Sequence, residues 1–483
     1  MSLETSALIL DLLRLPIIGA WLRWRHARTS IQLLLLVLAA IVVLHGLVGP
    51  EIAPTNLATV LTWVHYRGLL VVALLAAGNF FCTGCPFVLV RDVGRRVRKP
   101  THRWPRFLRT KWLAIVLFVA VLFAYELFDL WALPRGTAYL VLAYFGAALA
   151  IDLIFTGATF CKYLCPVGQF NFVASTVSPF ELRVREHDTC RSCRTHDCIK
   201  GRRSADIPGV VTQRGCELAL FLPAKVGNLD CTFCLDCVQA CPHDNIGLLT
   251  RVPGSELSAA ERRSGIGHLV RRKDLAALAV VFTFGALLNA FGMIAPAYEF
   301  QRWFTRTLGG ASEAAALAAL FIIVLAVAPL MLMSGAAVLT SRVSSRSVGS
   351  VAQIAVRYSY ALIPLGFSVW MAHYGFHLLT GVLTVVPLSQ SAVTELVGWP
   401  ALGNPLWQWT GMRPGAVFPI QIGLILVGTM GSLAVAYRIS ERDQPDRPAL
   451  PTLPWAVMTL ALATIAVWTL AQPMEMRGMG LTG

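Results

Sequence analysis

Residues 190–241 hold the stretch that decides the reading of this chain: Cys190-Arg-Ser-Cys193-Arg-Thr-His-Asp-Cys198, then Cys216, then Cys231-Thr-Phe-Cys234-Leu-Asp-Cys237-Val-Gln-Ala-Cys241-Pro242. Eight of the twelve cysteines fall within these 52 residues. The second half is C-x2-C-x2-C-x3-C-P, the bacterial spacing for [4Fe–4S] ligands. Three thiolates on one tight loop cap three irons of a cubane, and the fourth comes from elsewhere. In chains with two such clusters the Cys before Pro ligates the other cluster. That rule assigns Cys231, Cys234 and Cys237, with Cys216, to one cluster, and Cys190, Cys193 and Cys198, with Cys241, to the other. The first loop departs from the pattern, with four residues between Cys193 and Cys198 and no Pro after Cys216. Structural zinc wants paired C-x2-C knuckles, which this run supplies poorly. Disulfides need an oxidising compartment.

Outside this stretch the composition is that of a polytopic membrane protein. Of 483 residues, 56% are hydrophobic and 14% charged, and mean hydropathy is +0.63. The net charge of +15 fits positive-inside loops and anionic lipid. Nucleic-acid binding is disfavoured, because no basic run accompanies a base-reading motif. Apolar stretches long enough to span lie near 31–49, 68–90, 112–134, 138–160, 275–298, 313–335, 358–384, 416–437 and 452–471. Four of these nine precede the cysteine segment and five follow it. Residues 5–20 are apolar but broken by Asp11, Arg14 and Pro16, without a cleavage site; they read as a helix lying in the cytoplasmic interface.

Loop charge orients the spans. Residues 91–111 carry nine Lys/Arg against one Asp, whereas 50–66 and 385–412 carry neither Lys nor Arg. Arg23, Arg25 and Arg28, the flanks of the cysteine segment (Arg183, Arg185, Arg271, Arg272, Lys273), and Arg342, Arg346, Arg438, Arg442 and Arg447 all agree with one topology. The N-terminus and the cysteine segment are expected in the cytoplasm and the C-terminus outside, in a bacterial cytoplasmic membrane. A reducing cytoplasm also suits exposed clusters.

Two membrane stretches end alike: Gly78-Asn-Phe-Phe-Cys82-Thr-Gly-Cys85-Pro86 and Gly157-Ala-Thr-Phe-Cys161-Lys-Tyr-Leu-Cys165-Pro166. They indicate a duplicated hairpin, with each thiol pair on one helix face at spacings of three and four. Four sulfurs could then meet beside the cluster segment. They read as ligands of a further iron–sulfur or other metal centre, as redox-active thiols, or as small apolar residues at crowded helix ends.

These paired Cys-x2–3-Cys-Pro motifs, followed by two ferredoxin-type cysteine sets, resemble the membrane polyferredoxins of the NapH/NosR/CcoG type. The resemblance covers about residues 30–250 and rests on all twelve cysteines. It implies electron transfer between the quinone pool and a partner in nitrate or nitrous-oxide respiration, or copper reduction during oxidase assembly. The last five spans lie outside it.

Those spans carry their own signals. In Trp370-Met-Ala-His373-Tyr-Gly-Phe-His377, two His share a face, and His45 and His65 are expected on the same outer side. They read as ligands of b-type haem or another metal, as a quinone site, or as polar contacts between helices. Asp152, Glu126 and Asp129 read either as proton-linked groups or as partners of buried cations, Arg67 among them. Trp399, Trp407 and Trp409 fit an interfacial belt or a docking surface for an extracytoplasmic partner. Met474, Met476 and Met479 could touch soft copper.

The expected fold is an all-α polytopic membrane protein of about nine spans, with an inserted two-cluster ferredoxin-like α+β domain. Its segments are 1–30 (interfacial), 31–177 (four helices with the duplicated Cys-Pro hairpins), 178–273 (clusters) and 274–483 (five helices). The expected function is electron transfer between a cytoplasmic donor or the quinone pool and a membrane or extracytoplasmic acceptor, such as a reductase or cytochrome. It could act as the electron-transfer subunit of a quinol-linked oxidoreductase. The alternative is a copper reductase serving assembly of a copper enzyme. A transporter gated by its clusters lacks a broken-helix substrate site.

Overall fold

The computed structural model describes residues 10–204, 206, 211–310, 312–344 and 349–474. Arg346, Met476 and Met479 lie outside the described residues. The chain forms two compact units. The first comprises the described residues up to Leu36, Ala73–Thr110 and Ala147–Arg272; the second comprises Val37–Val72, Lys111–Gly146 and the described residues from Lys273 onward. The cysteine segment is thus part of a larger unit that also takes in both Cys-Pro motifs.

The protein is mostly helical. Among the described residues eight helices are long and apolar enough to cross a membrane: Ala27–Val48, Leu57–Ala77, Pro134–Ile154, Lys273–Phe291, Glu313–Val343, Val351–Gly381, Pro414–Asp443 and Ala449–Ala471. The ninth expected span, 112–134, is a shorter apolar helix, Trp112–Leu127. Asp129, at φ 44°, turns the chain just after it. The expected span 68–90 is also displaced. Its helix starts at Leu57 and stops at Ala77, because Gly78 takes φ +66°, a conformation few residues but Gly adopt.

In the second unit, Lys273–Phe291 and Val351–Gly381 form the centre: 83% of the apolar window of each is buried, against 33% for Pro414–Asp443. Close approach depends on small residues, as is usual between membrane helices. Gly428 lies against Ser368, and Ser432 Oγ accepts a hydrogen bond from the Leu365 N–H at 3.0 Å. Trp370 is buried and donates to the Phe282 carbonyl at 2.9 Å. The loop 385–412 is not wholly irregular; it contains the helix Val385–Val397.

The first unit carries the few strands. We number these β1 (Phe180–Val184), β2 (Arg202–Arg203), β3 (Val211–Gln213) and β4 (Ile246–Thr250). β1 pairs antiparallel with β4, Leu182 opposite Leu248, and β2 with β3. Leu182, Val184, Ile246 and Leu248 pack with Phe233, Leu235 and Val238. The N-terminal segment joins this core rather than lying wholly in the interface: Leu13 is fully buried, and Asp11 bridges to Arg185 at 2.8 Å. The short helix Pro16–Arg23 presents apolar side chains outward, Ile17 and Trp21 among them. Glu181, Lys225, Arg251, Glu256 and Arg263 form a buried chain of ion pairs beneath the sheet.

Candidate iron–sulfur centres

The twelve cysteines are free of disulfides and fall into three groups of four. Cys198 feels the thiols of Cys241, Cys190 and Cys193. Cys237 feels those of Cys234, Cys216 and Cys231. Cys241 therefore sits with the first set and Cys216 with the second, although in sequence each lies next to the other set.

Backbone conformation explains how two unlike loops build like sites. His196 (φ 54°) and Leu235 (φ 63°) are left-handed, and each is followed by Asp-Cys opening a short helix, Asp197–Lys200 and Asp236–Ala240. Cys198 and Cys237 thus occupy equivalent positions, and the two extra residues after Cys193 are absorbed before His196. The repeated Asp-Cys dipeptide was a readable signal that spacing alone does not use.

Several sulfurs accept hydrogen bonds. Asn245 Nδ2 donates to Cys190 Sγ at 3.3 Å and its backbone N–H to Cys241 Sγ at 3.5 Å, so one residue serves both ends of that group. The Leu220 N–H donates to Cys216 Sγ at 3.4 Å. Burial pushes the Cys198 and Cys231 thiols up to about 11, and Cys237 rises by burial and by its neighbouring thiols. Cys193 is the exception; backbone N–H groups led by His196 hold its thiol low. Four buried thiols cannot all ionise side by side, but a bound cationic centre reverses that balance. Among the described residues no three His, Cys, Asp or Glu groups close on one point as ligands of one ion.

The third group comprises Cys82, Cys85, Cys161 and Cys165. These thiols do not lie on the faces of membrane helices, as their spacing suggests. Cys82 lies in the single turn Phe80–Thr83, and Cys85 is extended (φ −60°, ψ 118°) before the helix Pro86–Val97. Cys161 lies in a π turn, Phe160–Leu164, and Cys165 (φ −59°, ψ 111°) precedes the helix Pro166–Ala174. Proline restricts the residue before it to extended conformations, which places Cys85 and Cys165 alike. This motif docks on the second cysteine set: Asn79 Nδ2 donates to the Cys231 carbonyl at 2.9 Å and Thr83 Oγ1 to the Phe233 carbonyl at 2.7 Å.

Charged groups brace the site. Arg28 pairs with Asp236 at 3.0 Å and lies within electrostatic reach of Cys234. Arg91, buried, pairs with Asp92 and Glu217 at 2.7 Å and with Asp152 at 3.5 Å. Asp152 also accepts the Phe160 N–H at 2.9 Å, so this carboxylate holds the π turn and its cation. Asn79, Asn171 and Asn245 were not singled out by the sequence, and Arg28 and Arg91 only as charges that orient the spans.

The remaining candidates lie in the second unit. His45 accepts the Leu57 N–H at 3.2 Å and faces Glu395 at 3.4 Å. His65 Nδ1 lies 3.3 Å from the Val60 carbonyl, in a π turn, Leu61–Tyr66. The buried rings of His373 and His377 stand perpendicular, 5.1 Å apart, on one helix. Glu126 lies beside Gly292, and Asp129 is exposed. Arg67 donates to Tyr125 Oη at 3.1 Å and stacks over Trp63, Tyr125 and Tyr374 at 4.6–5.0 Å.

Similarity to known proteins is partial. The chain is 30% identical over 107 residues to YccM of Escherichia coli, designated an electron transport protein; the match covers 22% of this chain and 25% of YccM. It is 25% identical over 194 residues to an uncharacterised Methanocaldococcus jannaschii protein, MJ0749, covering 38% of this chain and 68% of that one. It is 27% identical over 194 residues to the regulatory protein NosR of Pseudomonas aeruginosa, covering 35% and 24%. The matched region thus spans about a quarter of YccM and of NosR. No family model and no solved structure matches the chain.

Proposed function

We propose that this multipass membrane protein is an electron carrier holding two [4Fe–4S] clusters, one on Cys190, Cys193, Cys198 and Cys241, the other on Cys216, Cys231, Cys234 and Cys237. The observation that carries the reading is the exchange of Cys241 and Cys216 between the two sets, the pairing expected of two-cluster chains. The likeness to YccM supports electron transport, and the apolar helices support lipid contact. When bound, each cluster supplies one-electron chemistry. The chain itself supplies thiolate ligands, N–H donors from Asn245 and Leu220, and the partly buried Arg28 near Cys234. Cytoplasmic placement of the clusters and exchange with quinone or a redox partner protein belong to the same proposal.

Protein purified without oxygen and reduced with dithionite should show two cluster signals by EPR, with about eight irons and eight sulfides per chain. Cys241→Ser should remove the signal shared with Cys190→Ser, and Cys216→Ser the signal shared with Cys234→Ser. Absence of iron and sulfide, or Cys241→Ser and Cys234→Ser removing the same signal, would refute the assignment.

A further inference from the structure

The four cysteines of the duplicated Cys-Pro motifs have the surroundings of ligands rather than of idle thiols. Their two halves are local copies. Each half opens a helix with Pro, Pro86–Val97 and Pro166–Ala174, and each places the preceding Cys at the helix N-terminus with nearly the same φ and ψ. The unequal spacing is accommodated in the turn. In the second motif the Cys165 N–H reaches back five residues to the Phe160 carbonyl at 2.8 Å; in the first the Cys85 N–H reaches back three, to Cys82, at 3.4 Å. The π turn takes up the extra residue of Cys161-x3-Cys165, so Cys165, like Cys85, stands at the start of its helix.

The halves also meet. Cys165 lies within electrostatic reach of Cys85 and Cys82, and Cys161 within reach of Cys165 and Cys85. Donors point at the sulfurs: the Gly168 N–H at Cys165 Sγ (3.2 Å), Asn171 Nδ2 at Cys82 Sγ (3.3 Å), and the Phe87 and Val88 N–H groups at Cys85. Burial pushes all four thiols up, and the N–H groups at a helix start and the nearby cations act against it. Arg91 lies within reach of both Cys85 and Cys161, and Arg28 within reach of Cys85. Asn171 on Cys82 repeats what Asn245 does for Cys190.

We propose that Cys82, Cys85, Cys161 and Cys165 hold a third iron–sulfur cluster, next in line to the cluster on Cys216, Cys231, Cys234 and Cys237. The proposal rests on the electron-carrier reading above. Cys82 is within electrostatic reach of Cys231, and Asn79 and Thr83 bind the Cys231–Phe233 backbone directly, so the first motif packs on the loop of the second set. The step is the passage of one electron from the reduced second cluster to the oxidised third. No bond is made or broken and no proton is required.

Iron and acid-labile sulfide per chain, measured on protein purified without oxygen, test this. Two [4Fe–4S] clusters give about eight of each; a third raises both by about two if it is [2Fe–2S], or by about four if it is [4Fe–4S]. The double variant Cys82→Ser/Cys165→Ser should lose that excess while the EPR signals of the other two clusters persist, which shows that the unit still folds. Should those signals vanish with it, Asn171→Leu takes its place, and a shifted midpoint potential for a third signal is expected. Eight irons and eight sulfides in the unaltered protein, with these four cysteines alkylating as thiols, would overturn the third cluster and leave the first two standing. An excess that the double variant retains would overturn it as well. Absence of both iron and sulfide would instead defeat the electron-carrier reading itself.

Discussion

Arg91 is the most consequential charge in the first unit. Its guanidinium is about 2% exposed and faces three carboxylates, Asp92, Glu217 and Asp152. Arg91→Met keeps the volume and removes the cation. Breaking a buried pair from one side costs about 3–5 kcal/mol, because the abandoned charge stays desolvated. The value here belongs at the lower end. Glu217 keeps Arg95 (3.4 Å) and Arg214 (3.7 Å), and Asp92 keeps Arg214 (2.8 Å). The stranded group is Asp152, about 1% exposed, which retains the Phe160 N–H. A loss of about 3 kcal/mol, at roughly 2–4 °C per kcal/mol for a unit of this size, lowers Tm by about 6–12 °C. The assay is thermal unfolding in detergent followed by tryptophan fluorescence, with iron retention as a second readout. Asp152→Asn on the Arg91→Met background removes the stranded charge yet can still accept the Phe160 N–H, and about half of the loss should return. If the single variant melts with the parent, or the double variant melts no higher than the single, the assignment of Asp152 as partner of Arg91 is wrong.

Asn245→Leu removes the side-chain N–H on Cys190 Sγ; since such bonds stabilise the more negative reduced state, the midpoint potential of that cluster alone should fall in an EPR-monitored redox titration. Burial alone would raise the Glu181 carboxyl, but Lys225 and Arg251 hold it below its ordinary 4.5. Its contribution is therefore fully present above pH 4.5 and lost as pH falls through the lowered value, so Glu181→Gln should flatten the acid limb of Tm against pH and lower Tm at neutral pH. Gly78→Ala puts a methyl 2.6 Å from the Phe233 ring at φ +66°. Left-handed strain of about 1–2 kcal/mol plus crowding should lower Tm, and Phe233→Leu should relieve only the crowding.

Much of this protein is legible from its sequence because the signals are local. Apolar runs near twenty residues mark most membrane helices, since a helix must satisfy its own backbone in lipid. The C-x2-C-x2-C-x3-C-P run marks three thiols on one tight loop, the donor set on which the proposed cluster rests. Helix ends are less legible: the 68–90 stretch is continuous in hydropathy, and only the φ of Gly78 and the restriction imposed by Pro86 move Cys82 and Cys85 off the helix.

What tertiary structure alone decides is which separate segments meet. The exchange of Cys216 and Cys241 follows the sequence rule, but Asn245, which bonds both Cys190 and Cys241, is brought there by the fold. Asp152 lies in an apolar run that gives no hint of Arg91, sixty-one residues earlier. Asn171 reaches Cys82 across eighty-nine residues. Local chemistry selects the ligands; long-range packing selects their neighbours, because buried charge and buried thiolate are stable only where distant parts of the chain supply the donors.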